Sequence, residues 1–288
     1  MIGLIFNPKA GSGKYVPRMK AFLEMLDAKG VEYDYRETQK AGDTIDFAKE
    51  MAETCTTIIA AGGDGTVFEV INPLADMNVR MAILPYGSGN DAFASIYGSK
   101  YSDEKVLESV VSGEDVKVDC ARVNGKYVFV ILAGLGFAAD LLVRFKEKGG
   151  SYAKAIPGLM IHCHRKDYKL LINGEEREYH TEFLSAFNSG FAGGGIRVTN
   201  QSSIYDGEME MVVLKKSGRF RRFLNFAALA RKKLEKQYNV DIIKFKECTV
   251  YPVGEQLVIN MDGELIREDE MHIEVLPGHL RFAAPVKD

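Results

Sequence analysis

Residues 62–66 read Gly62-Gly63-Asp64-Gly65-Thr66, directly after the apolar, β-branched run Thr56–Ala61 and directly before a helix-like segment. A strand that feeds a glycine turn and a helix start can lay bare backbone N–H groups against phosphate. The turn also carries a carboxylate, Asp64, which a simple anion cradle would exclude unless a cation accompanies the phosphates. Residue types and spacing together point to magnesium–nucleotide chemistry.

Two more glycine loops share this setting. Asn7-Pro8-Lys9-Ala10-Gly11-Ser12-Gly13-Lys14 follows the apolar run Gly3–Phe6, and Pro85-Tyr86-Gly87-Ser88-Gly89-Asn90-Asp91 follows Met81–Leu84. In an open parallel sheet such loops emerge together at the carboxyl ends of the strands, where ligands bind. Neither common phosphate fingerprint is met. A Walker A loop ending in Gly13-Lys14 needs glycine at position 8 and Ser or Thr at position 15, where Pro8 and Tyr15 stand; a dinucleotide loop needs glycine where Val16 stands. Thr66-x-x-Glu69 has capping-box spacing, and either Asn90 or Asp91 is placed to cap a helix over Ala92–Tyr97.

The elements that must position these loops alternate over the first hundred or so residues. Strands are predicted at Gly3–Phe6, Tyr33–Arg36, Thr56–Ala61 and Met81–Leu84, with helices over Val16–Lys29, Asp43–Glu53 and Val67–Leu74. Met19, Phe22, Leu23 and Leu26 recur at helical spacing before Gly30. This alternation predicts a mainly parallel sheet covered by helices. After about Val118 the pattern changes to strand-like segments, at Asp119–Val123, Tyr127–Leu132, Tyr168–Ile172, Glu182–Asn188, Met209–Leu214, Cys248–Val253, Leu257–Met261 and Met271–Val275. Asn124-Gly125 and Asn173-Gly174 are tight-turn signals between them. The expected fold is therefore α/β plus all-β. The domains run over 1–118 and 119–288, with the last ten or so residues candidates for a return to the first domain.

Composition narrows the function classes. A hydrophobic content of 46% and a net charge of −3 describe a globular chain with no global attraction to nucleic acid. No apolar run reaches the roughly 18 residues of a spanning helix, and the first six residues are too short for a signal segment. Cys55, Cys120, Cys163 and Cys248 are scattered, as reduced thiols are. The chain is expected in the cytoplasm.

Asn-Pro-x-x-Gly, Gly-Gly-Asp-Gly-Thr, Pro-x-Gly-Ser-Gly-Asn-Asp and the later Asp262-Gly263-Glu264, in this order, resemble the diacylglycerol kinase catalytic-domain family, which includes soluble bacterial diacylglycerol kinases and sphingosine and ceramide kinases. The resemblance spans essentially the whole chain. It implies a first domain like that of NAD kinases and phosphofructokinase, a β-sandwich second domain, and ATP in the cleft between them. The reaction implied is transfer of the γ-phosphoryl group of ATP, with Mg²⁺, to the hydroxyl of diacylglycerol or a similar lipid at the inner membrane surface. A homodimer is compatible with it.

By resemblance, Asn7, Pro8, Lys9, Ala10, Gly11, Thr38, Gly62, Gly63, Asp64, Gly65, Thr66, Glu69, Gly87 and Ser88 contact ATP. Asp262 takes the proton of the lipid hydroxyl. Asp64, Asp91, Asp119 and Glu264 organise the catalytic Mg²⁺ and its waters; magnesium keeps several waters and uses few protein carboxylates. A separate structural Mg²⁺ would use Asp206 with carbonyls of Ser203 and Glu208, although the family usually has an apolar residue at 208 and a second acid at 205. Taken from its own residues alone, Asp262-Gly263 reads as a hairpin turn. Bacterial relatives commonly read Asn-Asp-Phe-Ala-Arg after the third loop, whereas this chain has Asn90-Asp91-Ala92-Phe93-Ala94-Ser95, whose Ala-Ser ending is closer to that of sphingosine kinases.

Two other features allow more than one reading. His162-Cys163-His164 lacks a further ligand at metal spacing. Arg219–Gln237, read as a helix, places Phe220, Phe223, Leu224, Ala227, Ala230 and Leu234 opposite Arg221, Arg222, Lys232, Lys233 and Lys236, a pattern suited either to a membrane surface or to packing on its own domain. A soluble acceptor such as NAD, or binding without catalysis, are the competing functions.

Overall fold

The computed structural model describes residues 1–148, 164–215, 218, 221, 224–225, 228–229, 231 and 233–286. It divides into one unit of Met1–Val118 with Gly278–Asp288 and a second of Asp119–Pro277.

The first unit is built on strands β1 (Ile2–Phe6), β2 (Tyr33–Glu37), β3 (Thr57–Gly62) and β4 (Arg80–Pro85), all parallel, in the order β2-β1-β3-β4. β3 is buried along its whole length, as a central parallel strand covered on both faces must be. Helices α1 (Val16–Ala28), α2 (Asp43–Ala52), α3 (Asp64–Leu74), α4 (Asp91–Tyr97) and α5 (Asp103–Ser112) follow the strands. α1 buries Met19, Phe22 and Leu26, the apolar stripe legible at helical spacing. The chain's end returns here: Phe282 pairs with Met81 of β4, Arg281 ion-pairs with Asp115, and the Ala284 N–H donates to the Glu114 carbonyl. α5 is not foreseen by the motif reading, although Ser102 caps it by accepting from the Lys105 N–H and Gly113 ends it at φ +78°.

The second unit contains β5 (Asp115–Val123, entered from the first unit), β6 (Tyr127–Phe129), β7 (Leu132–Gly136), α6 (Phe137–Lys148), β8 (Lys166–Ile172), β9 (Glu175–Thr181), β10 (Phe183–Phe187), the short pair β11 (Phe191–Ala192) and β12 (Ile196–Arg197), β13 (Met209–Leu214), β14 (Val240–Phe245), β15 (Glu247–Pro252), β16 (Leu257–Met261), β17 (Glu264–Glu268) and the start of β18 (Met271–Ala283). One antiparallel sheet runs β14-β13-β10-β7-β16-β17; β15, β8 and β9 form the other antiparallel run with β18. Asn173-Gly174 makes the expected two-residue hairpin, both residues at positive φ.

The single strand expected over Tyr127–Leu132 is two strands. Val130 and Ile131 leave the ladder because their N–H groups, with that of Leu132, donate to the Asp262 carboxylate. The expected helix Arg219–Gln237 lies in part outside the described residues. Among the described ones, Leu234–Lys236 form a short 3₁₀ turn and Lys233 is not helical, so no single helix reaches Gln237. His162 and Cys163 also lie outside the described residues. Cys55, Cys120 and Cys248 are buried thiols, and burial pushes the Cys248 thiol up to about 12. No helix among the described residues is long and apolar enough to cross a membrane.

Candidate active site

In the first unit the three glycine loops are tied to one another. Asn7 Nδ2 donates to Thr66 Oγ1 at 3.3 Å, which joins the loop after β1 to the first turn of α3. The Asn7 side chain also accepts the Lys9 N–H at 3.1 Å. Gly11, Ser12 and Gly13 are all left-handed, with φ of +56°, +62° and +77°, a run that turns successive N–H groups toward one side. Lys9 is exposed and donates to the Gln39 carbonyl, beside Thr38, whose N–H donates to Phe6.

The loops after β3 and β4 meet backbone to backbone. A Cβ at Gly87 would fall on the Gly63 Cα, and one at Gly63 would stand 3.1 Å from the Gly87 Cα. Only glycine at 87 permits the approach, and a Cβ at 63 would press on the Gly87 backbone. Asn90, itself at φ +59°, accepts the Gly87 N–H through Oδ1 and donates to the Gly87 carbonyl through Nδ2. Ser88 is exposed beside this clamp.

The helix caps differ from the expected ones. α3 begins at Asp64 with Gly63 as its N-cap residue, so Thr66 and Glu69 lie inside the helix and form no capping box; Gly65 and Thr66 occupy its first turn, and the Thr66 hydroxyl serves Asn7. Asn90 is the N-cap residue of α4, but its side chain is committed to Gly87. The cap is supplied across the loops instead: Asp64 Oδ1 accepts the Ala92 N–H at 3.1 Å. Asp91, the first residue of α4, is buried. Two of the expected carboxylates thus stand at adjoining helix starts, where the macrodipole favours negative charge.

A polar cluster lies outside the glycine motifs. Arg18 forms a bidentate pair with Asp103 at 2.6 and 2.7 Å, and the Tyr86 hydroxyl donates to the same carboxylate at 2.8 Å. Tyr15 stacks on Tyr86 and donates to the Gly87 carbonyl. Burial, with Asp103 beside it, pushes the Tyr86 phenol far above its ordinary value, so it remains a donor. Tyr15, Arg18, Gly89, Asn90, Phe93 and Tyr101 border a cavity of about 280 Å³. Arg18 and Asp103 are 85 positions apart, a separation that leaves no local signal.

In the second unit Asp262 is buried at φ +47°, the first residue of the hairpin turn between β16 and β17. Its Oδ2 accepts the Val130 N–H at 2.7 Å, and Oδ1 accepts those of Ile131 and Leu132 at 2.9 and 2.8 Å. Such charge-assisted bonds hold the carboxylate in one orientation. Glu264 pairs with Lys146 of α6 at 2.7 Å. Asp119 is buried, and its Oδ2 accepts the Gly207 N–H at 2.7 Å. Asp206, Glu208 and Glu210 surround the Lys244 ammonium, while the Ser203 hydroxyl accepts the Tyr205 N–H. Among the described residues, no three His, Cys, Asp or Glu side chains are grouped to hold a metal directly.

Residues 1–123 match the family model of the diacylglycerol kinase catalytic domain, and residues 138–284 match that of the YegS C-terminal NAD kinase beta sandwich-like domain. A probable lipid kinase YegS-like protein of Klebsiella pneumoniae is 30% identical over 98% of this chain and 95% of its own. A diacylglycerol kinase of Bacillus subtilis is 30% identical over 91% and 88%. Among solved structures, a diacylglycerol kinase of Bacillus anthracis superposes with a TM-score of 0.81 at 25% identity, covering 98% of this chain and 96% of that one. An NAD kinase of Archaeoglobus fulgidus in complex with ATP shares the fold at a TM-score of 0.56 and 12% identity, over 99% and 94% of the two chains.

Proposed function

The chain belongs to the diacylglycerol kinase catalytic-domain family, and from that premise we propose that it is a lipid kinase that moves the γ-phosphoryl group of ATP onto the hydroxyl of diacylglycerol or a similar membrane lipid. The observation that carries the reading is the approach of Gly63 and Gly87. It leaves two glycine turns without side chains where strands β3 and β4 end, with Asp64 and Asp91 at the helix starts that follow. Backbone N–H groups and small residues suit the phosphates, and Asn7 and Thr66 add side-chain hydrogen-bonding groups.

Magnesium fits this donor set. Asp64 and Asp91 are hard oxygen ligands, few in number, as the ion's preference for retained water requires. They would hold it with the nucleotide, and the ion would neutralise charge on the phosphates. Phosphoryl transfer asks chiefly for positioning and charge neutralisation. Asp262 is assigned the acceptor's proton; its three N–H donors set where the carboxylate points. Asp119 and Glu264 are assigned supporting roles in the same reaction.

The test is transfer of label from radiolabelled ATP to diacylglycerol, sphingosine and phosphatidylglycerol in mixed micelles, with NAD as a soluble control. Label in a lipid product supports the reading. Label in NAD alone, or in no lipid, overturns it.

A further inference from the structure

The structural magnesium site implied by the resemblance does not fit this chain, because a side-chain cation already stands there. Lys244 Nζ lies 3.2 Å from Asp206 Oδ2, 3.4 Å from Glu208 Oε2 and 3.8 Å from Glu210 Oε1. Lys244 on β14 is directly opposite Glu210 on β13 in the sheet register, so the ladder itself delivers the ammonium to this place. Its backbone carbonyl is held by Asn173 Nδ2 at 2.8 Å. A divalent ion bound to the Asp206 carboxylate would sit beside this positive charge, and like charges at such range repel.

Three acids gather around this one internal cation. Glu208 is one of the two closer partners of the ammonium. Glu210 is fully buried; Ser202 donates to its Oε2, and Oε1, which has no hydrogen-bond donor, lies 3.8 Å from the lysine ammonium. A buried carboxylate oxygen in that condition needs a cation nearby. The arrangement also reaches Asp119. Asp206 accepts the Glu208 N–H through Oδ1, and the intervening Gly207 donates its N–H to Asp119.

We propose that the Lys244 ammonium takes the place of a divalent cation at the Asp206–Glu208 turn, so that this turn is held without metal. Independence from metal is a property of this chain's residues and stands whatever lipid the enzyme uses.

The experiment is thermal unfolding of the whole chain, without nucleotide, in EDTA and in Mg²⁺, on the wild type and on Lys244→Met, Lys244→Arg and Asp206→Asn. The wild type should melt at the same temperature in both conditions. Lys244→Met should melt several degrees lower in EDTA, since one or more acids lose their counter-charge, and Lys244→Arg should recover most of that loss. Titration of the wild type with Mn²⁺ should find no site that Asp206→Asn removes. A wild-type melting point that falls in EDTA, with the fall abolished by Asp206→Asn, overturns the proposal, and so does a Lys244→Met protein that melts with the wild type. Should Lys244→Met fail to fold, the wild-type and Asp206→Asn measurements still decide.

Discussion

Asp262 and Leu132 are joined in both directions: the Leu132 N–H donates to the Asp262 carboxylate at 2.8 Å, and the Asp262 N–H donates to the Leu132 carbonyl at 3.1 Å. The side chain assigned to chemistry is therefore also the piece that holds three consecutive amides at the break between β6 and β7.

Asp262→Asn should abolish phosphoryl transfer and also destabilise the protein. An amide offers one acceptor oxygen for three N–H donors, and its NH₂ group would face at least one of them. Leaving a buried donor unmet costs about 1–3 kcal/mol. Urea unfolding monitored alongside the transfer assay separates the two effects. Full activity in a folded variant would reject the proton-acceptor assignment.

Gly87→Ala places a methyl group on the Gly63 backbone and 2.9 Å from Asn90 Oδ1. The loops after β3 and β4 must then separate. Turnover should fall on the order of 100-fold, the scale of a misplacement of about 1 Å near a reacting centre, with weaker ATP binding by calorimetry.

Two separable duties are assigned to Asp64, the cap on α4 and a part in magnesium binding. Asp64→Asn keeps an oxygen to accept the Ala92 N–H, so the fold should persist while magnesium-dependent turnover is lost. Asp64→Ala should lose turnover and, in addition, about 1 kcal/mol of stability, the usual loss on removing a helix cap. Equal unfolding midpoints for the two variants would refute the capping role.

Asp43 gives a pH dependence of known sign. The N–H groups of Lys40 and Gln39 donate to its carboxylate and hold its pKa below the ordinary 3.8. A carboxylate depressed on folding contributes stability that is fully present above its unfolded pKa and is lost as the pH falls through the folded one. The stability gap between wild type and Asp43→Asn should thus be constant from about pH 7 down to about pH 5 and close below about pH 4. A gap that widens on acidification would reverse the assignment.

The parallel first domain and its glycine loops could be read from the sequence because the physics there is local. A backbone that turns left-handed or approaches another backbone has little choice but glycine, as at Gly63 and Gly87, and a strand buried on both faces has little choice but an apolar run, as at Thr57–Gly62. Hairpins at Asn124-Gly125 and Asn173-Gly174 were legible for the same reason. The charged strand Glu175–Thr181 was not. It is the last strand of its sheet and mostly exposed, and such strands carry charge rather than apolar alternation.

What the residues determine by themselves, then, is which loops can face phosphate and which acids accompany them. Which donor each acid meets was decided only by the tertiary structure. Asp64 caps a helix 28 positions away, Asp262 collects amides more than 129 positions back, and Lys244 is brought by strand register to Asp206 and Glu208. A carboxylate's partner depends on where the chain returns through space, and no short window of sequence contains that information.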